Sequence, residues 1–275
     1  MAKDFLSEVL HECKQQSKGQ DFITCGDSLN VSWLVCIDGH GSNTVINACR
    51  SFNWHIAQDE QLLSLWSMLN LHLREMDTSM SGATLTVVRL HKKEPAFISI
   101  EWIGDSQCVV YQGGKELLRC GNSYEIHPGL MSRVNREETT KYRIVDGENM
   151  VEEMDYMFNF GSNECINMTG ALGHNQLTYH SPFYASLELE SSLRSPYTIV
   201  VGTDGFWDMT YENDLVLLSN PNVPASDLIE IATNRWNQKW NVKMKDGSVI
   251  DNGVFDRKDD CSVARMVIYP DFNTA

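Results

Sequence analysis

The stretch VCIDGHGSN, Val35–Asn43, places an acid, a histidine and two glycines directly after an apolar run. The run, Val31–Ile37, has the β-branched and aromatic composition of a buried strand. Taken alone, Asp38-Gly39 is a common hairpin-turn dipeptide. The residues that follow, Thr44–Ala57, instead carry apolar side chains at helical spacing. The stretch therefore predicts an aspartate presented at the end of a strand, before a helix.

Three further segments place acids at the ends of strands. IEWIGDS contains Asp105, TIVVGTDGFWD contains Asp204 and Asp208, and RKDDCSVARMVIY contains Asp259 and Asp260. Each segment alone has a simpler interpretation as a turn or as solvated surface charge. Carboxylates that converge at one end of a sheet, however, repel each other unless a cation lies between them, and hard divalent ions bind oxygen ligands. The joint pattern predicts a Mg²⁺ or Mn²⁺ site.

The composition is that of a globular chain that avoids polyanions. The 275 residues are 42% hydrophobic, and the net charge is −15, from 37 acidic and 22 basic residues. Such a charge disfavours nucleic acid and anionic membranes as partners. The eight cysteines include no CxxC spacing, which favours a reducing compartment. The sequence shows no apolar signal peptide and no membrane-spanning segment, so a cytoplasmic or nuclear protein is expected. A monomer is expected, since no feature of the sequence requires an oligomer.

Predicted helices and strands come in blocks rather than in strict alternation, which favours antiparallel α+β layers over a doubly wound parallel sheet. Gly121–Cys165 is the least regular segment and is interpreted as a surface subdomain or flap. Ser226 or Asp227 is the expected cap of the last helix. Helical spacing covers Thr44–Ala57, Glu60–Glu75, Glu212–Ser219 and Ser226–Trp240. Strand patterns cover Ala83–Leu90, Ala96–Ile103, Gln107–Tyr111, Glu116–Arg119, Thr198–Val201 and Ser262–Tyr269.

Five motifs follow one another along the chain: DGHG, SGATLTV, IEWIGDSQCVVY, TDGFWD and KDDCSVA. In this order they resemble the metal-dependent protein serine/threonine phosphatases, the PPM family or protein phosphatase type 2C. GQDF and INMTGALGH are weaker matches, and the resemblance runs from about Gly19 to Tyr269. It implies a four-layer α-β-β-α sandwich of two antiparallel sheets flanked by helices. It also implies a single phosphatase domain over residues 1–275, with a variable flap subdomain at about residues 121–165.

The resemblance implies how the main metal ions would be bound. Asp38 would bridge two ions of Mg²⁺ or Mn²⁺, and Gly39 would give its backbone carbonyl to one of them. Asp204 and Asp259 would complete the coordination of the other ion. These four residues would form the metal centre proper.

The resemblance also implies roles around that centre. Asp21 would hold metal-bound water, and Asp208 would lie near the same water. Asp105, together with Asp204, would bind a third, weaker metal ion. His40 would be the general acid that protonates the leaving group, since the pKa of histidine lies near working pH. Asp38 and His40 are therefore the predicted catalytic pair.

Three positions depart from the family pattern. CKQQSKGQDF lacks the arginine that grips the substrate phosphate, so Lys18 or Lys14 is expected there, as a point charge rather than a bidentate fork. The usual arginine after Gly-Asp-Ser is Gln107, and the motif that normally ends in Gly-Asp ends in Gly173-His174. None of these differences touches the residues matched to the two main ions, and an active enzyme is favoured.

The predicted activity is hydrolysis of phosphoserine and phosphothreonine in phosphorylated protein substrates, by a water that two metal ions activate, without a covalent enzyme intermediate. No cysteine has an arginine six residues later, as a cysteine phosphatase requires, and no HExxH motif supports a zinc hydrolase. DGHGSN lacks the third glycine of a dinucleotide loop. Two alternatives stay open: a catalytically silent pseudophosphatase that serves as a protein-binding module, and a phosphatase of a small phosphorylated metabolite.

Overall fold

The computed structural model describes most of the chain, in separate ranges. These are residues 5–14, 18–93, 95–121, 134–145, 148–159, 165–166, 168, 170–174, 181–190, 195–243, 249–254 and 258–270. For 5–14, 134–145, 148–159, 165–166, 239–243 and 249–254 the description is of the backbone.

The described residues form β-strands that dominate the fold and short α-helices that cover them. The strands are β1 Phe5–Lys14, β2 Asp21–Asp27, β3 Val31–Gly41, β4 Ser81–Ala83, β5 Leu85–His91, β6 Phe97–Ile103, β7 Gln107–Gln112, β8 Lys115–Cys120, β9 Val134–Val145, β10 Glu148–Asn159, β11 Cys165–Ile166, β12 Leu172–Gly173, β13 Phe183–Glu188, β14 Tyr197–Gly202, β15 Lys239–Lys243, β16 Val249–Val254 and β17 Cys261–Pro270. The α-helices are α1 Thr44–Ser51, α2 Leu65–Leu73, α3 Asp204–Trp207, α4 Leu215–Leu218 and α5 Ala225–Trp236, with 3-10 turns at Trp54–Gln58 and Glu212–Asp214. No helix in these ranges is both long and apolar enough to cross a membrane.

Two antiparallel sheets form the body of the protein. The first has the strand order β12-β4-β3-β5-β6-β13, with β2 on the opposite edge of β3. The second has the order β1-β17-β14-β7-β8. One apolar cluster fills the space between the sheets, and two others lie between each sheet and its helices. The predicted four-layer α-β-β-α sandwich of the α+β class is confirmed.

Strand β3 shows why its sequence reads as one continuous apolar run. Leu34 and Cys36 belong to the cluster between the sheets, whereas Trp33, Val35 and Ile37 pack under the helices. Both faces of the strand are thus buried, and alternation is lost from the sequence. The strand continues to Gly41, so the aspartate at position 38 lies inside it and not on a turn after it. That part of the prediction was wrong.

A third antiparallel sheet, with the order β11-β10-β9-β15-β16, includes most of the segment that was expected to be irregular. Strands β9 and β10 pair over twelve residues each, from Val134↔Asn159 to Val145↔Glu148. Five of the twelve residues of β9 and four of the twelve of β10 are charged, and this mixture of charged and apolar residues gives no clear strand pattern in the sequence. The irregular interpretation of 121–165 was therefore wrong for the strands, while its status as a separate subdomain stays a prediction.

Helix bounds differ from the sequence predictions mainly where backbone geometry breaks an apolar pattern. The segment 44–57 divides into α1 and a 3-10 turn, and α5 ends at Trp236. The N-cap of α5 is Pro224, so the predicted cap at Ser226 or Asp227 was wrong. Helix α2 begins only at Leu65, because the Glu101 carboxylate of β6 accepts the amide of Leu65 at 2.9 Å and fixes the first turn there.

Helix α5 holds the short helix α3, which carries one of the predicted site acids. The Trp236 indole donates to the Gly205 carbonyl at 2.7 Å, and the Arg235 guanidinium donates to the Met209 carbonyl at 2.7 Å. Arg235 also pairs with the buried Asp214 carboxylate, at 2.5 and 3.0 Å. Since a buried guanidinium is stable only when its charge is compensated, this ion pair anchors the layer.

Asp214→Ala should therefore lower the free energy of unfolding by about 3–5 kcal/mol, because it removes the carboxylate and leaves the Arg235 charge in the interior. Urea unfolding followed by tryptophan fluorescence measures the change. Asp227→Ala, at an exposed acid in the first turn of α5, is the matched control and should change stability by less than about 1 kcal/mol. Equal effects of the two substitutions would contradict the anchoring role.

Candidate metal site

The register of β2 and β3 brings the first two acids together. Asp21 stands directly opposite Asp38 in this antiparallel pair. The Asp38 amide donates to the Thr84 hydroxyl at 2.9 Å, and the Thr84 amide donates back to the Asp38 carbonyl at 2.8 Å. Asp38 is therefore fixed on both sides, by β2 and by the residue that joins β4 to β5.

Asp21 links the first sheet to the second. Its carboxylate accepts the Thr203 hydroxyl at 2.9 Å, and the same hydroxyl accepts the Ser262 amide at 3.1 Å. Thr203 lies directly after β14, and Ser262 lies at the start of β17. These bonds seat the ends of β14 and β17 beside the β2–β3 pair, and so they bring Asp204 close to Asp38.

Asp204 begins α3, and the chain packs tightly around it. A Cβ at the next residue, Gly205, would lie 2.0 Å from the Asp260 carbonyl oxygen, so only glycine fits there. Asp259 lies immediately next to this contact, with a carboxylate that is partly exposed. Asp260 is buried and accepts the Gln20 amide at 2.7 Å. Of the two adjacent acids, Asp260 thus binds the backbone amide of Gln20, and Asp259 is the one whose carboxylate faces the cluster.

The electrostatics show that the distant acids meet. Burial raises the pKa of Asp38 well above its ordinary value, and the neighbouring Asp204, Asp21 and Asp259 raise it further. Burial, followed by the charge of Asp204, likewise raises the pKa of Asp105 to about 8. The pKa of Asp21 rises to about 7, chiefly through burial and also through Asp204. Asp204 is among the charges that raise the pKa of each of these carboxyls, so it lies near all three.

The cluster has the chemistry of a site for an oxygen-binding cation. Its donors are carboxylates, and Oδ1 of Asp105 is buried without a hydrogen-bond partner among the described residues. Within those residues, no three histidine, cysteine, aspartate or glutamate side chains are grouped closely enough to hold an ion by themselves. Mg²⁺ commonly takes one or two carboxylates and completes its shell with water, and the residues present fit that mode of binding.

Lys18 lies at the edge of the cluster and faces the acids. Its ammonium group contacts both oxygens of Asp259, at 2.8 and 2.9 Å. Burial acts to lower the pKa of Lys18, but Asp259, Asp38 and Asp204 outweigh burial and raise it. The ammonium is thus charged and close to the predicted metal ligands. Its role as a phosphate ligand stays a prediction.

Asp208 and His40 complete the set of predicted site residues. Asp208 caps α3, where its amide donates to the Asp204 carbonyl at 2.7 Å, so the two acids share one turn. His40 lies in β3 two residues beyond Asp38, and its Nδ1 lies 2.7 Å from Nε2 of His174. Burial, and next to it the charge of His174, lowers the pKa of His40 to about 3, so the ring is held neutral.

The sequence analysis missed three polar residues that support the acids, Thr84, Thr203 and Gln20, and it did not separate the supporting role of Asp260 from that of Asp259. Two signals were available, since Thr84 ends the SGAT motif and Thr203 directly precedes Asp204 in TDG. A hydroxyl beside a buried carboxylate is a common way to satisfy it. His174 was marked only as a departure from a motif.

Solved structures of phosphatases share this arrangement of two sheets and flanking helices. The serine-threonine phosphatase 2C from Toxoplasma gondii matches with a TM-score of 0.56 at 10% identity, over 97% of this chain and 95% of that one. The S. agalactiae serine/threonine phosphatase matches with a TM-score of 0.52 at 16% identity, over 97% and 100%. The catalytic domain of the serine/threonine phosphatase PstP, in complex with two manganese ions, matches with a TM-score of 0.52 at 15% identity, over 96% and 99%.

The chain has the fold of the type 2C serine/threonine phosphatases. The likeness extends over nearly the whole chain, and it is a likeness of fold, given the low identities. The sequence matches no family model and no curated protein. In the fold seen here, Asp38 lies within β3, Asp204 begins α3 directly after β14, and Asp259 precedes β17, and the three acids lie near one another. The function must therefore be argued from the site itself.

Because Asp38 adds a buried charge to a repelling cluster, Asp38→Asn should raise the free energy of unfolding by about 1–3 kcal/mol in buffer with chelator. Excess Mn²⁺ should stabilise the wild type more than the variant, since the variant has lost a ligand oxygen. Urea unfolding with and without Mn²⁺ measures both effects.

Asp27→Asn is the control for this charge effect, because Asp27 is exposed and pairs with Lys92 at 2.6 Å. It should lose less than about 1 kcal/mol in either buffer. A destabilised Asp38→Asn protein in chelator, or one that Mn²⁺ stabilises as much as the wild type, would contradict the metal site.

Proposed function

We propose that the protein is a Mg²⁺- or Mn²⁺-dependent phosphatase that hydrolyses phosphoserine and phosphothreonine in proteins. The observation that carries this proposal is the proximity of Asp38, Asp204 and Asp259, which lie far apart in the sequence. Burial raises the pKa values of Asp38 and Asp259, and Asp204 raises both further. Burying such charges costs stability, and a folded chain tolerates them where a cation is to be bound. The PstP relative was solved with two manganese ions, which supports the choice of metal.

The roles proposed for the acids follow from their places. Asp38, the Gly39 carbonyl, Asp204 and Asp259 would hold two ions, and Asp105 with Asp204 would hold a third. When bound, such ions lower the pKa of water toward neutrality and offset the charge of a phosphoryl group.

The remaining residues orient water and substrate. The Asp21 carboxylate, which accepts the Thr203 hydroxyl, would accept a hydrogen bond from the attacking water, and Asp208 lies one turn from Asp204 on α3. Lys18 supplies the positive charge nearest the cluster, and the substrate phosphate would compete with Asp259 for it. Since an ammonium binds as a point charge, Lys18 would attract the phosphate without fixing its rotation.

His40 is proposed to protonate the departing serine or threonine oxygen, for which its ring, neutral in this structure, must first take up a proton. Without that proton, the P–O bond breaks to leave an alkoxide, which is a poor leaving group near neutral pH. His40 lies in the same strand as Asp38, two residues along, so the rigid β3 backbone fixes the distance between metal ligand and proton donor.

Activity is tested with p-nitrophenyl phosphate and with a phosphothreonine peptide, each with Mn²⁺ and with chelator. Asp38→Asn and Asp204→Asn should each lower kcat by about 10³-fold or more, with the fold retained by circular dichroism, because each removes a charged ligand. Asp27→Asn should keep wild-type turnover. Full activity in either site variant, or wild-type activity in chelator, would contradict the assignment.

Folded wild-type protein with no Mn²⁺-dependent turnover of any phosphomonoester would favour the silent protein-binding module. A preference for glycerol phosphate over the phosphopeptide would instead favour a metabolite phosphatase.

His40→Ala should slow hydrolysis of the phosphothreonine peptide by about 10²–10³-fold and that of p-nitrophenyl phosphate far less, since nitrophenolate leaves without a proton. Steady-state kinetics on both substrates at saturating Mn²⁺ measure the difference. Equal losses on the two substrates would remove His40 from the proton-donor role.

A further inference from the structure

Two histidines, His40 and His174, stack against each other next to Gly82, beside the site. In the first sheet, His40 of β3 stands opposite Gly82 of β4, and Gly82 stands opposite Gly173 of β12. The His40 and His174 rings stack with centroids 4.7 Å apart and planes 9° from parallel. A Cβ on Gly82 would lie 2.3 Å from His174 and 2.4 Å from His40. The missing side chain at position 82 is what lets the two rings touch.

The hydrogen bonds of the pair determine where its protons lie. Nδ1 of His174 lies 3.3 Å from the Ser79 carbonyl oxygen, which can only accept, so Nδ1 carries the proton. In the neutral ring, Nε2 of His174 then has a lone pair and accepts from Nδ1 of His40 at 2.7 Å. His40 is thereby the Nδ1–H tautomer. Its Nε2 is shielded and has no hydrogen-bond partner among the described residues.

The backbone of His174 is held in an unusual conformation. Its φ is +46°, and it is the only non-glycine residue in the described ranges with a positive φ. The preceding residue, Gly173, has a φ of +73°. Its amide donates to the carbonyls of Thr78 and Ser81, at 2.9 and 3.0 Å. Histidine tolerates this region better than bulky or branched residues, but the conformation is still uncommon. Two backbone bonds therefore fix a strained residue so that its ring reaches His40.

We propose that His174 is a positioning residue, which holds His40 as the Nδ1–H tautomer and so leaves Nε2 as the ring nitrogen without a proton. The proposal rests on the proposed phosphatase function. A fixed partner on one ring nitrogen is the general way in which proteins select the reactive nitrogen of a histidine. Here a second neutral imidazole takes the place of the more usual carboxylate or carbonyl.

The proton balance follows from this tautomer. A proton that His40 donates is first bound at Nε2, while Nδ1–H stays bonded to His174. As the P–O bond breaks, its electron pair goes to the departing oxygen, and Nε2 gives its proton to that oxygen. The product is the free hydroxyl, and His40 returns to the neutral Nδ1–H form. His174 accepts the same hydrogen bond throughout, so it holds the ring in place without losing or gaining a proton.

The tautomer is tested directly by NMR on protein with ¹⁵N-labelled histidine, since protonated and unprotonated ring nitrogens differ widely in shift. His40→Gln assigns the signals, and the measurement is made on the metal-free protein and with Mg²⁺. We expect a protonated Nδ1 and an unprotonated Nε2 at His40. His174→Phe, which keeps an aromatic ring and removes the acceptor, should give a mixture of tautomers, and so should Gly82→Ala, which keeps both histidines and separates them.

Kinetics distinguish positioning from simple structural support. His174→Phe should lower kcat for the phosphothreonine peptide by about tenfold to hundredfold, with little change in KM and a much smaller effect on p-nitrophenyl phosphate. His174→Gln, whose side-chain oxygen can accept from Nδ1, should recover most of the loss.

Two results would overturn the proposal: an Nε2–H tautomer of His40 in the wild type, or equal kinetic losses on both substrates in His174→Phe that His174→Gln does not recover. The NMR arm requires no turnover. An inactive wild type would therefore refute the proposed function, whereas the tautomer of His40 would still be decided by the NMR measurement alone.

Discussion

The main constraint on the structure is the repulsion among the carboxylates that the sandwich brings together at one end. Two unit charges 4 Å apart repel by about 4 kcal/mol at the effective dielectric of a protein near its surface. Asp38 and Asp21 are buried and Asp105 is partly buried, and each has its pKa raised first by burial and then by neighbours that include Asp204. The two apolar clusters that flank β3 outweigh this repulsion, because they fix both faces of the strand that carries Asp38.

Neutral hydrogen-bond donors keep the acids in place without neutralising them. Thr84 holds the Asp38 amide, and Thr203 donates to the Asp21 carboxylate while accepting from β17. The ammonium of Lys18, which pairs with Asp259, comes from a segment outside both sheets. A cluster supported by hydroxyls keeps its negative charge available to a cation, whereas one supported by arginines would already be neutral.

Much of the fold and the identity of the main acids could be predicted from the sequence, since apolar runs mark strands such as β3 and β14 and short glycine motifs follow them. The limits were physical. Strands β9 and β10 mix charged and apolar residues in the sequence, and their pairing is seen only in the structure. The opposition of Asp21 and Asp38 is a matter of register, and the contact of His40 with His174 requires three strands side by side. No local pattern encodes distances of that kind.

Strand β1 has a consequence for how the protein can be handled. It lies at the border of the second sheet and pairs with β17 along ten residues, from Phe5↔Pro270 to Lys14↔Cys261. Without it, β17 would present a long, uncharged row of free amides and carbonyls, which is a template for intermolecular strand addition and aggregation. Trimming the amino terminus would thus threaten solubility first, and next the placement of Ser262 beside the acids.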